Sequence, residues 1–159
     1  MASLLRGIRD SKGREVAVEV GFFESAKYPT GQNVAYIAAI HEMGAPRRKI
    51  PSRPFFRNAL PEIERITQTI TRATIDTHTM RMPTQAVNQI GSAAAAAVQK
   101  SIVDIDRPPH AESTIARRRA AGKGRRRNKV FQQHNVLIDT GTLRRSVTWR
   151  IRSGRRLFG

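Results

Sequence analysis

The stretch EVAVEVGF, residues 15–22, decides the fold of this chain. Its apolar residues occupy every second position: Val16, Val18, Val20 and Phe22. Glu15 and Glu19 fall on the opposite face. Because side chains alternate between the two faces of a strand, this pattern predicts a half-buried β-strand.

A second alternating segment lies near the other end of the sequence. Its apolar positions are Val147, Trp149 and Ile151, and its polar positions are Thr148, Arg150 and Arg152. Helical patterns fill the interval between the two strands. We therefore expect an α+β fold in which a small antiparallel sheet packs against two long helices, with extended basic and proline-rich loops.

Three helices are predicted between these strands. Asn33 can cap a short helix that Gly44 ends. Apolar residues then recur at helical spacing from Phe56 to about Asp76, and Pro61 lies inside this pattern, so the helix either starts there or bends there. A second long helix is predicted from Pro83 to about Ile105. Its expected buried stripe is Val87, Ile90, Ala94, Val98, Ile102 and Ile105.

Two connecting segments have unusual composition. Residues 45–54 contain three prolines and four basic residues, which predicts an exposed, extended connection. Residues 107–135 form an arginine-rich segment, expected to be flexible or ordered only by a partner, within one domain that spans 1–159. Its basic residues include Arg117, Arg118, Arg119, Lys123, Arg125, Arg126 and Arg127.

Charge is the outlying property of the composition. The chain of 159 residues has 29 Lys and Arg against 12 Asp and Glu, a net charge of +17. Such a charge favours nucleic acid or another polyanion, although an assembly protein matched by an acidic partner has the same composition. The absence of cysteine excludes disulfides and a thiol nucleophile. With no signal peptide, and no apolar stretch long enough to span a bilayer, we expect a soluble, cytoplasmically made protein without a membrane contact.

The triplet Asp139-Thr140-Gly141 resembles the catalytic triplet of aspartic proteases. That chemistry needs a second carboxylate to share one proton and a β-rich body after the triplet, whereas only 18 residues follow Gly141. The alternative is a structural role. Asp139 or Thr140 would cap a short turn, Gly141 would supply backbone freedom, and Leu143 would anchor the turn. We expect the turn.

Other chemical motifs are incomplete. His41-Glu42 begins like a zinc-protease motif, but the second histidine should stand at position 45, which is alanine. No nucleophile and base pair stands out. We therefore expect no catalytic residues, no bound metal, no cofactor and no enzyme activity.

Three segments, in this order, resemble tail-completion and virion-morphogenesis proteins of tailed bacteriophages. The first is residues 16–46, a strand ending in Val-Gly-Phe and a helix reading Ala-x-Ile-His-Glu-x-Gly. The second is IPSRPFFRNAL, residues 50–60, and the third pairs PPHAESTIARRRAAGK, 108–123, with VLIDTGTLRRSVTWRI, 136–151. The two parts of the third segment are separated by GRRRNKVFQQHN, residues 124–135, which resembles an insertion and departs from the family pattern.

The resemblance implies a structural virion protein at the head–tail junction, or neck, or at the tail end, made in the bacterial host cytoplasm. Such proteins typically form a homo-oligomeric ring, often six-fold, around the DNA channel. Its neighbours would be connector or stopper, tail-terminator and tail-tube proteins. A basic protein that binds nucleic acid non-specifically, packaged DNA included, is the alternative from a different class.

Two sets of contact residues follow as hypotheses. The arginine-rich residues 117–119, 123 and 125–127 would face the DNA lumen or an acidic partner surface. An inter-subunit anchor would comprise Ile50, Pro51, Arg53, Pro54, Phe55 and Phe56, with Arg53 bridging to a neighbour. For the two phenylalanines, plain core packing is the competing interpretation.

Overall fold

A three-stranded antiparallel sheet forms one layer of the protein in the computed structural model, which describes residues 2–4, 8–109, 112, 115–116, 137 and 141–154. Strand β2 (Glu15–Gly21) pairs with β3 (Thr148–Gly154), and Gly21 lies opposite Thr148. The α+β class and the pairing of these two strands are confirmed. Strand β1 (Ala2–Leu4), which the sequence did not predict, pairs with the other edge of β2.

The helices follow the predicted order. Helix α1 spans Val34–Met43, α2 spans Phe55–Thr74, α3 spans Thr84–Asp104 and the short α4 spans Thr142–Arg145. The Asn33 side chain accepts from the Ala35 N–H at 2.8 Å, and Gly44, with φ of 78°, donates to the Ile40 carbonyl at 2.8 Å. Both predicted caps of α1 are therefore confirmed.

Helix α2 begins six residues before Pro61 and continues through it. Pro61 is exposed, on the side of α2 away from the buried Ala59 and Ile63. A proline removes one helical N–H donor, and an exposed position leaves the freed carbonyl open to water. The alternative in which the helix starts at Pro61 is therefore wrong.

Helix α3 joins the two layers of the fold. It packs on β2 and β3, and α2 packs along its other side. Every residue of the predicted stripe is buried: Val87, Ile90, Ala94, Val98, Ile102 and Ile105. Ala95 is buried as well, and such small side chains let the two long helices approach closely.

Gly91 is a point of close contact between the sheet and α3. A Cβ at this position would lie 2.3 Å from Cε3 and 2.5 Å from Cδ2 of Trp149. Carbon atoms in contact are normally about 3.5–4.0 Å apart. The indole of β3 therefore occupies the space that any other residue at position 91 would need.

The second face of β2 is also buried, which corrects the prediction of a half-buried strand. Ala17 is 4% exposed and Glu19 is 8% exposed. Two arginines of β3 cross this face: Arg150 Nε lies 2.7 Å from Glu19, and Arg152 Nη1 lies 3.0 Å from it. Long arginine side chains bury a neighbour with their aliphatic stems while keeping the charge near water.

Candidate functional site

The first two motif segments meet directly in the structure. The Arg53 N–H donates to the His41 carbonyl at 2.7 Å, and the Ser52 hydroxyl donates to the Glu42 carbonyl at 2.7 Å. Gly44 lies so close that a Cβ there would be 2.8 Å from Ser52 N. Its positive φ and this contact both require glycine.

The chain turns back on itself between these two segments. Residues Pro46–Arg48 form a 3₁₀ turn, and Ala45 and Ile50 exchange backbone hydrogen bonds of 2.8 and 3.1 Å. Lys49 closes the turn with φ of 55°. The expected extended connection is thus a tight reversal over 45–50, because paired backbone groups stabilise a fold-back that proline content alone does not reveal.

Glu42 caps the N-terminus of α2. Its Oε2 accepts from the Phe56 N–H at 2.8 Å, and its Oε1 accepts from the Arg57 N–H at 3.0 Å. The first turn of a helix has N–H groups without helical partners and carries a partial positive charge. A carboxylate there accepts hydrogen bonds from those N–H groups and is attracted by that charge. Pro54, at the N-cap position, has no side-chain acceptor for this purpose.

Arg53 links the first two motif segments to the start of the third. Its side chain donates from Nε to the Pro108 carbonyl at 3.0 Å and from Nη2 to the Pro109 carbonyl at 3.1 Å. The residue is only 4% exposed. The hypothesis that Arg53 bridges to a neighbouring subunit is corrected accordingly, because the guanidinium is buried and bonded within its own chain.

His41 lies beside this arginine. Its Nδ1 is buried and has no hydrogen-bond partner. Burial, and then the nearby charge of Arg53, lower the pKa of His41 below its usual value. Both effects favour the neutral form of the imidazole. Within the ranges that the structure describes, no three His, Asp or Glu side chains come together in positions to hold a metal.

The Asp139-Thr140-Gly141 turn is described only from its third residue. Asp139 and Thr140 lie outside the described residues. Gly141 has φ of 75° and precedes α4, whose Leu143 is 3% exposed. The roles expected for Gly141 and Leu143 are confirmed, and α4 packs against α1 and α3.

The anchor residues separate into buried and accessible members. Phe55 is 1% exposed, and its ring packs edge-on against Phe22 with centroids 6.1 Å apart. Phe56 is half-buried against the same core. Core packing therefore accounts for Phe55, whereas Pro51 is exposed and Ile50 is half-exposed.

We call the set His41, Glu42, Arg53, Pro108 and Pro109 the motif junction. Sequence reasoning singled out these segments but missed the capping role of Glu42 and the carbonyl contacts of Arg53. The one local signal was Pro54 at a helix start with no capping side chain beside it. The basic residues at 117–119, 123 and 125–127 all lie outside the described residues.

No protein-family model, curated protein or solved structure matches this chain. Among the described helices, none combines the length and the apolar character needed to cross a membrane.

Proposed function

We propose that this chain is a structural virion protein of a tailed bacteriophage, acting as a tail-completion or head–tail connector subunit in a ring around the DNA channel. The observation that carries the proposal is the motif junction. The first two segments that resemble the phage family are neighbours in sequence, and the third begins about 50 residues later, at Pro108. Glu42 binds the first segment to the second, and Arg53 binds the second to the start of the third.

The bonding pattern supports a framework role for these motifs. Glu42 accepts main-chain N–H groups and Arg53 donates to main-chain carbonyls. His41, the other titratable group there, is partly buried in surroundings that favour its neutral form. The Glu42 and Arg53 side chains are committed to main-chain atoms, and His41 Nδ1 is buried, so the proposal assigns the junction no catalytic role.

A ring subunit contacts its neighbours through two different faces, and such a heterologous interface gives cyclic symmetry when it closes. The accessible part of the anchor, Ile50 and Pro51, lies at the end of the 45–50 reversal and is one candidate for such a contact. The arginine-rich segment would then face the DNA lumen or an acidic connector or tail-tube surface.

Electron microscopy of a lysate tests the virion role. An early stop codon in this gene, in the phage or induced prophage that encodes it, should give full heads beside separate tails, or tails of abnormal length. Complementation from a plasmid should restore infectious particles. Intact and infectious particles from the stop-codon phage would contradict the proposal.

Charge reversal tests the arginine-rich segment. We expect the triple change Arg125→Glu, Arg126→Glu and Arg127→Glu to lower phage yield in that complementation assay. A matched control carries the same charge change at Lys12, Lys27 and Arg72, three exposed cations outside the segment. Equal yields from the two variants would remove the segment from the assembly role.

The net charge of +17 supports a second candidate, a non-specific nucleic-acid-binding protein. Phosphate contacts of Lys and Arg release counterions, so such binding weakens steeply as salt rises. Duplex DNA binding measured across a salt series separates the candidates. Tight binding with a steep slope favours the nucleic-acid role, and weak binding by the isolated chain favours assembly.

A further inference from the structure

Helix α1 leaves apolar side chains uncovered on its outer surface. Tyr36 is 56% exposed and Met43 is 69% exposed. They are seven residues apart, which is two helical turns, so they lie on one face. Exposed apolar residues that cluster in this way mark interaction sites more often than single ones do.

A groove runs beside this face, between α1 and the first turns of α2. Its volume is about 420 Å³. The lining is mainly apolar and includes Phe22, Ala35, Ala39, Met43, Phe56 and Leu60. Next to the groove, Tyr36 and Ile40 line a second hollow together with Arg47 and Arg48.

Cations border this surface. We call Arg47, Arg48, Lys49 and Arg57 the basic rim; all four are exposed. Arg57 lines the groove itself, and Arg47 and Arg48 line the hollow. The nearest carboxylate, Glu42, has both oxygens bonded to the start of α2. The surface therefore combines an apolar centre with a positive border.

We propose that this α1 surface docks an acidic protein segment that inserts apolar side chains into the groove and places carboxylates against the basic rim. Opposite charges around an apolar centre both orient a partner and speed its association. A second copy that docked through this same surface would place its own basic rim against the first, and like charges oppose that occupant here.

Nucleic acid fits this surface less well than protein. The apolar part of the groove is lined by alanine methyl groups and by Met43 and Leu60, which do not hydrogen-bond the edge of a base, and its polar side chains, Glu42 and Arg57, lie at the start of α2. Of the three rings in the lining, Phe55 is 1% exposed, and Phe22 and Phe56 are partly buried against the core. An apolar side chain fills such a groove without leaving polar groups unpaired.

The proposal goes beyond the virion role and does not rest on it, because peptide affinity is measured on the isolated chain. The probe is a fluorescein-labelled amphipathic helix of about four turns, with leucine at i, i+3, i+4 and i+7 spacing and glutamate elsewhere. Two control peptides carry glutamine for each glutamate, or serine for each leucine. Fluorescence anisotropy at constant salt gives the affinities.

We expect the acidic amphipathic peptide to bind and both control peptides to bind at least about tenfold more weakly. Met43→Glu should weaken binding by about tenfold or more, because its carboxylate would repel the glutamates of the peptide. Met43→Gln should weaken binding less. The triple change Arg47→Glu, Arg48→Glu and Lys49→Glu should have an effect at least as large. Arg72→Glu, about 22 Å along α2 from Arg57, should change affinity less than about twofold.

Several results would overturn the proposal. The first is failure of the acidic peptide to bind the folded wild-type chain. The second is equal binding of the glutamine peptide. The third is displacement of the peptide by duplex DNA whose own affinity is unchanged in Met43→Glu, which would assign the rim to nucleic acid. Concentration-dependent dimers that Met43→Glu abolishes would assign the groove to a second copy instead.

Discussion

Replacing Gly91 by alanine sets two effects of opposite sign against each other. In an ordinary helix interior the change stabilises by about 1 kcal/mol, because alanine has the higher helix propensity. Here the new Cβ would lie 2.3 Å from Trp149 Cε3, so the indole must retreat by roughly 1 Å or more. Overpacking of that kind costs about 1–3 kcal/mol. We expect Gly91→Ala to destabilise the protein by about 0–2 kcal/mol in net terms.

A double-mutant cycle isolates the contact between the two residues. In a Trp149→Ala background the same Gly91→Ala change should stabilise by about 1 kcal/mol, so the coupling is roughly 1–3 kcal/mol. Urea unfolding followed by circular dichroism measures it, since Trp149 is the only tryptophan and fluorescence would be lost. Ser92→Ala, at an exposed neighbouring position, is the control and should change stability by only a few tenths of a kcal/mol. Equal stabilisation by Gly91→Ala in both backgrounds would refute the reasoning.

The motif junction and the sheet give further predictions, all measurable by urea unfolding. Glu42→Ala should lower the free energy of unfolding by about 1–2 kcal/mol through loss of the α2 cap, and Glu42→Gln by less. Arg53→Met should cost about 3 kcal/mol, because two carbonyls lose a charged donor, whereas the exposed Arg57→Met should cost less than about 0.5 kcal/mol. Burial would raise the pKa of Glu19, but hydrogen bonds from Arg150 and Arg152 and their charges outweigh it and lower the pKa below the usual 4.5. The stabilisation from Glu19 is therefore complete above pH 4.5 and lost as pH falls through the lower folded pKa, and Glu19→Gln should flatten that part of the profile. The lowered pKa of His41 predicts a separate loss of stability as pH falls below its usual 6.5, absent in His41→Gln; an unchanged profile in that variant would contradict the assignment.

Periodicity and end signals predicted most of the regular structure. The α3 stripe was identified in full because six apolar residues recur at helical spacing and all of them are buried. The ends of α1 were identified because Asn33 and Gly44 act locally, within one turn of the helix. The pairing of β2 with β3 followed from two alternating segments that each needed a partner.

Features that depend on distant parts of the chain were missed. Strand β1 has three residues, too few for an alternating pattern to emerge. The second face of β2 is buried by arginines that are remote in sequence, and no local pattern records that contact. The roles of Glu42 and Arg53 were missed for the same reason. Both side chains bind main-chain atoms of other segments, and every residue has such atoms, so the sequence does not mark the partners.

The sheet order has a consequence for biosynthesis. Strand β2 lies near the start of the chain, and its partner β3 contains residues 148–154. Domains are made N-terminal end first, and contacts between distant residues form late because a long loop must close. The edge of β2 that pairs with β3 therefore has no partner strand while α1, α2 and α3 are synthesised. Nascent chains that stall before residue 148 would present that edge to one another, so truncated products should aggregate where the longer chain does not.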